Sequence, residues 1–155
     1  MLQAQIESVS EKITPRKLLL ISCSATKRDL KDQPALQVYD GPSYRIIRKY
    51  PTDKIDILIL SAKYGLIFAN HKISVYEQKM NDHIAQEMKN QTTDRLVSIL
   101  QSSTYSEIYI ELGKTYRNAI GFDNPLFKEL NIKYGYGTIG VRLHNLKMWL
   151  ASVTS

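Results

Sequence analysis

Two apolar runs in this chain end in the same chemistry. Lys17-Leu18-Leu19-Leu20-Ile21 opens into Ser22-Cys23-Ser24-Ala25-Thr26-Lys27, and Ile57-Leu58-Ile59-Leu60 opens into Ser61-Ala62-Lys63-Tyr64-Gly65. An apolar run without polar alternation suits a strand covered on both faces, as in a parallel sheet. In open α/β sheets, ligands bind beyond the carboxyl ends of the strands. Two strand ends that each offer small hydroxyl residues and then a lysine point to one shared pocket for an anionic or nucleotide-like ligand.

The remaining pattern alternates strands with helices. Strands are predicted over 17–22, 55–60 and 107–112, with a fourth between Phe127 and Tyr134. Pro42 begins a helix that carries Tyr44, Ile47 and Tyr50 and that Pro51 stops. A longer helix runs from Asp82, read as its capping residue, to about Leu100, with Ile84, Met88, Leu96 and Ile99 inward. A short one follows Gly113-Lys114-Thr115-Tyr116, and a last one runs from about Ile139 to Ser152, with Leu143, Leu146 and Leu150 inward. Residues 23–41 and 61–80 read as long connections, and loops of that length are usually functional. The alternation predicts one α/β domain over residues 16–155. Its sheet is mainly parallel, of about four to five strands, with helices on both faces. Residues 1–15 form an amphipathic helix or arm, with Leu2, Ile6, Val9 and Ile13 near helical spacing.

Charge narrows the partners. Lys+Arg number 21 against 15 Asp+Glu, a formal charge of +6. That balance suits a nucleotide, DNA or RNA, and is also common among ordinary globular domains. The single cysteine, Cys23, excludes an internal disulfide and a Cys-based zinc site, and fits a reducing cytoplasm. The three histidines lack metal-ligand spacing, so no metal site is assigned, and the cofactor is unknown. No segment approaches the ~20 apolar residues of a membrane span.

After the first strand, Ser22, Cys23 and Ser24 leave room for backbone N–H groups to approach an anion. Lys27 then adds a point charge or an amine nucleophile; on spacing alone it reads more readily as a surface lysine past serines that cap a turn. Cys23 is either a nucleophile or an inert packed thiol. Ser61, Lys63, Tyr64 and Gly65 repeat the arrangement, with Gly65 at a left-handed turn or a close approach. Gly113, Lys114 and Tyr116 repeat it after a third strand, which would aim three lysines at one crevice. The bland alternative is that lysines gather at strand ends because solvent is there. Tyr76 is a stacking or hydroxyl group, Glu77 an acid/base candidate, and Arg142 a phosphate contact. Neither a Walker loop nor a convincing dinucleotide fingerprint is present. Gly135-x-Gly137-x-x-Gly140 matches the latter in letters and reads as a tight turn before the last helix.

Several of these segments resemble a known family. Ile21-Ser22-Cys23-Ser24-x-x-Lys27, Tyr39-x-Gly41-x-Ser43, Leu60-Ser61-Ala62-Lys63-Tyr64-Gly65-Leu66, Tyr76 and Gly113-Lys114-x-Tyr116 resemble an uncharacterised DUF6884-type family. It is distantly similar to the peroxide-stress protein YaaA and to the core domain of archaeosine synthase. The resemblance covers Lys17 to Leu150. It implies a three-layer Rossmann-like fold and adds Tyr39 and Ser43 to the ligand-binding candidates. The Arg28-Asp29 that follows Lys27 departs from the proline–tyrosine of archaeosine synthase.

The resulting expectation is a protein that binds a nucleobase- or nucleotide-type ligand at the strand ends. It would be a nucleobase- or nucleoside-directed transferase or glycosidase. Lys27, Lys63 and Cys23 are its catalytic candidates. Ser22, Ser24, Tyr39, Ser43, Ser61, Tyr64, Gly65, Tyr76, Gly113, Lys114 and Tyr116 are its ligand contacts. A non-catalytic DNA- or RNA-binding module and a YaaA-like stress protein are the alternatives.

Overall fold

The computed structural model describes residues 15–155. The arm expected over residues 1–15 lies outside them, apart from Pro15. Strand β1 (Arg16–Ser22) is central, with β3 (Asp56–Ser61) parallel on one side and β6 (Tyr105–Glu111) parallel on the other. Strand β7 (Ile132–Tyr134) is parallel to β6, and β4 (Gly65–Phe68) is the antiparallel outer strand beside β3. The five-stranded order is β4-β3-β1-β6-β7. The fold is the mainly parallel α/β sheet that the alternation of elements predicts.

The uninterrupted apolar run of β1 is explained by helices on both sides. Leu19 and Ile21 face one layer with Ile57, Ile59 and Tyr109, under α2 (Pro42–Ile47) and α5 (Ile139–Val153). Leu18 and Leu20 face the other with Leu58, Leu60, Ile108 and Ile110, under α3 (Asp82–Ser102). Successive strand side chains point to opposite faces, so each strand feeds both cores. Burying one such side chain contributes roughly 1.5–3 kcal/mol, which is why no polar residue interrupts β1 between Leu18 and Ile21.

The long connections are more ordered than the sequence predicts. Residues 23–41 contain β2 (Gln33–Pro34) and a single helical turn, α1 (Ala35–Val38). Residues 61–80 contain β4 and β5 (Lys72–Ile73), and β5 pairs with β2. Ser61 pairs with Gly65 across the β3–β4 turn, and Gly65 takes φ +71°, a conformation that favours glycine. Asp40 accepts from Arg45 and Arg48 and lies near Arg28, which ties the first connection to α2. Arg45 and Arg48, Arg45 foremost, hold the Asp40 carboxyl below the usual range.

Helix α3 is capped by Asn81 and not by Asp82: Asn81 Oδ1 accepts from the Ile84 amide at 2.8 Å. Its buried face is Ala85, Thr92, Leu96 and Leu100, one step round from the expected stripe, so Ile84, Met88 and Ile99 are half-buried. On α5, Leu146, Trp149 and Leu150 are buried and Leu143 is half-buried. No helix among the described residues is long and apolar enough to cross a membrane.

Candidate functional site

The chain leaves β1 toward β3, and leaves β6 toward β7 in the opposite direction. The carboxyl ends of β1 and β6 therefore flank the point where the connections diverge, which is where open α/β sheets leave a binding crevice. Cys23 follows β1 directly, and its amide donates to the Leu60 carbonyl at 2.9 Å. Its Sγ lies 3.1 Å from Tyr116 Oη, on the short helix α4 (Lys114–Arg117) that follows β6. Beside this pair is a cleft of about 410 Å³, lined by Cys23, Ser24, Lys27, Glu77, Met80 and Tyr116. A hollow of about 290 Å³ toward the other end of β3 has no lysine or arginine in its lining.

Behind the cleft, three hydroxyls interlock. Tyr39 Oη and Tyr76 Oη are 2.7 Å apart, Ser61 Oγ is 2.8 Å from Tyr76 Oη, and Tyr39 Oη donates to Ser61 Oγ at 3.3 Å. Ser61 Oγ also accepts from the amides of Lys63 and Tyr64, at 3.1 and 3.0 Å. This is the local serine turn that ends β3. Burial pushes the Tyr39 phenol up to about 12 and raises those of Tyr44, Tyr76 and Tyr116 as well. At neutral pH these phenols are protonated, so they act as hydrogen-bond donors and not as bases.

The two strand-end lysines meet at one ring. Lys27 Nζ is 4.5 Å from the centre of the Tyr76 ring and 5.9 Å from that of Tyr39. Lys63 Nζ is 5.4 Å from the Tyr76 centre and 5.2 Å from that of Tyr64. Tyr64 meets Tyr76 edge-on, with centroids 5.3 Å apart. An ammonium over an aromatic face gains about 0.5–1 kcal/mol where it is exposed. The Tyr76 ring neighbours both lysines and leaves their charge available; Lys27 lines the cleft, and Lys63 lines a separate hollow of about 450 Å³ with Tyr64, Gly65 and Arg95.

The other candidates divide. Ser24 lines the cleft, but its hydroxyl accepts from the Gly41 and Asp40 amides at 3.1 and 3.3 Å and donates to the Thr26 carbonyl. Ser61 is buried behind the cleft, with its hydroxyl turned toward the phenols. The Ser22 carbonyl accepts from Tyr44 Oη at 2.8 Å. Ser43 lies in the first turn of α2, Gly65 forms the β3–β4 turn, and Gly113 is the N-cap of α4. Lys114 does not join Lys27 and Lys63. It lines a separate cleft of about 420 Å³ with Arg117 and Arg142. The three strand-end lysines thus do not line one crevice: Lys27 lines the first cleft, Lys63 shares the Tyr76 ring with Lys27 but lines another hollow, and α4 turns Tyr116 toward the first cleft and Lys114 toward the second. Arg142 is committed to Glu111, its Nε donating to Oε1 at 2.6 Å. Among the described residues, no three His, Cys, Asp or Glu side chains gather as metal ligands would.

Sequence reasoning missed three features. Gln78 and Lys79 line the first cleft with no local motif to mark them. Glu111 is buried, and its carboxyl is raised by loss of water despite Arg142; a glutamate ending an apolar strand was a readable signal. Gly135-Tyr136-Gly137-Thr138-Ile139-Gly140 does sit between a strand, β7, and a helix, α5, a context hidden by the shortness of β7. A Cβ on Gly135 would lie 2.0 Å from Glu111 Oε2, so close packing accounts for that glycine.

No curated protein matches the chain, so the similarity to YaaA and archaeosine synthase gains no support from that quarter. A family profile, described as Family of unknown function (DUF6884), matches residues 18–148, and the chain belongs to that family.

Proposed function

We propose that this DUF6884 member binds a nucleobase- or nucleotide-type ligand in the crevice between the carboxyl ends of β1 and β6, and acts on its base. One observation carries the reading. Lys27, which lines the cleft at the divergence point of the sheet, and Lys63, from a second strand end, place both ammonium groups on the Tyr76 ring. A phosphate or other anionic group belongs at that double charge. A flat base fits against Tyr116 and Met80 on the cleft wall.

The residues also limit the chemistry. Protonated Tyr39, Tyr76 and Tyr116 cannot accept a proton at neutral pH, so proton transfer falls to the lysines or to Glu77. Cys23 is the nucleophile of the cleft, and the Tyr116 hydroxyl is placed to donate to its thiolate. Such a set suits a base-directed transferase or glycosidase. A thiol kept free for reaction also suits a reducing, cytoplasmic setting.

A thermal-shift screen of nucleobases, nucleosides and nucleotides tests the reading. A ligand at a hundred times its Kd raises the midpoint by about 5–10 °C for a domain of this size. The rise is lost in Lys27→Met. No rise with any class, or an equal rise in the variant, overturns the reading.

A further inference from the structure

The edge of the sheet beyond β7 carries aromatic rings where solvent would be expected. Tyr136 is 70% exposed and Tyr134 42%. Together with Trp149 and Lys133 they line a hollow of about 460 Å³. Tyr136 also lines the second cleft, with Lys114, Arg117 and Arg142. The two hollows share Tyr136 and form one run of rings and cations along the edge, with Lys133 beside the rings of the first and Tyr136 beside the cations of the second.

The cations are in surplus, and two of them are held in place. Arg117 donates to the carbonyls of Leu112 and Gly135 at 3.0 and 2.7 Å, and its guanidinium sits 5.7 Å from the centre of the Tyr134 ring. These bonds hold its position without neutralising it. Arg142 is offset by Glu111. Lys114 pairs with no carboxylate among the described residues. A groove of cations interleaved with exposed rings matches a chain of alternating phosphates and flat bases. In a duplex, the base faces are already stacked and unavailable.

We propose that the β7–α5 edge binds single-stranded nucleic acid, with phosphates on Lys114 and Arg117 and bases stacked on Tyr136 and Tyr134. Helix α4 is the shared wall of the two clefts, presenting Tyr116 to one and Lys114 and Arg117 to the other. A strand held on the edge is thereby led past the first cleft. In that respect the inference rests on the function proposed above: it makes the ligand a base within a strand and not a free nucleotide.

The test is fluorescence anisotropy with fluorescein-labelled single strands of about a dozen nucleotides, RNA and DNA in parallel, on the full chain. Wild type binds at low salt, and Tyr136→Ala weakens binding about ten-fold while Tyr136→Phe retains it. Lys114→Ala lowers the slope of log affinity against log salt by about 0.7. Tyr136 and Lys114 are exposed, so neither variant threatens the fold. No binding at low salt, an unchanged affinity in Tyr136→Ala, or equal affinity for a duplex overturns the inference. Free-nucleotide binding measured on the same samples separates the two readings. If nucleotides bind and strands do not, only the edge proposal falls.

Discussion

Cys23 Sγ and Tyr116 Oη meet at 3.1 Å and join the loop that follows β1 to the helix α4 that follows β6. The contact spans 93 residues of sequence and closes the floor of the cleft at the divergence point of the sheet. It places a thiol and a phenol that burial keeps protonated beside Lys27.

Labelling of Cys23 reports on this cleft directly, because the chain has one cysteine. Alkylation of the native protein by iodoacetamide, followed by mass spectrometry, is expected to be slower than in denaturant. A cleft ligand slows it further, in proportion to the fraction of protein occupied. A ligand that binds without changing the labelling rate does not sit at Cys23.

Ser61 supports four groups at once: two phenols and two amides. Ser61→Ala leaves buried polar groups without a partner and costs about 1–3 kcal/mol. Ser43→Ala, in the first turn of α2, stays within about 0.5 kcal/mol. Urea denaturation of both variants checks the contrast, and equal losses would contradict the hydroxyl cluster.

Alkaline pH should unfold the protein through its buried phenols. The folded Tyr39 phenol sits at about 12, above its ordinary value of 10.0. Between those two values the unfolded chain loses the proton first, so the folded state binds more protons and stability falls as pH rises. The contribution is complete below pH 10 and is lost at about 1.4 kcal/mol per pH unit above it. Urea midpoints from pH 9 to 11.5 should fall, and fall less in Tyr39→Phe. A flat profile would contradict the burial.

The two outer glycines of the β7–α5 turn should respond with opposite signs. Gly135→Ala drives a methyl into Glu111 and costs about 1–3 kcal/mol. Gly140 lies in α5, and a methyl added there would meet nothing within 4 Å, so Gly140→Ala gains roughly 0.5–1 kcal/mol. Thermal denaturation distinguishes them.

What the sequence made legible follows from how physics marks it. Strands β1, β3 and β6 are buried on both faces, so their apolar runs are continuous and stand out. Strands β2 and β5 have two residues each and β4 has four, too few for a period to register. Within the site, strand ends were readable because small residues followed by lysine interrupt an apolar run. Side-chain direction was not. Nothing in the letters turns Ser61 inward toward Tyr39 and Tyr76, or sends Lys114 to the far side of α4. Tyr39 and Tyr76 are 37 residues apart, and only the packing of the first connection against the second brings their hydroxyls together.

On the proposed function, Lys27 and Lys63 hold one anion between them and Lys114 does not. Titration calorimetry tests it, using the nucleotide with the largest thermal shift against wild type, Lys27→Met, Lys63→Met and Lys114→Met. Each of the first two variants is expected to lose at least about ten-fold in affinity, the loss of one charge-assisted hydrogen bond, while Lys114→Met binds like wild type. Equal affinity in all four proteins, or a loss confined to Lys114→Met, would contradict it.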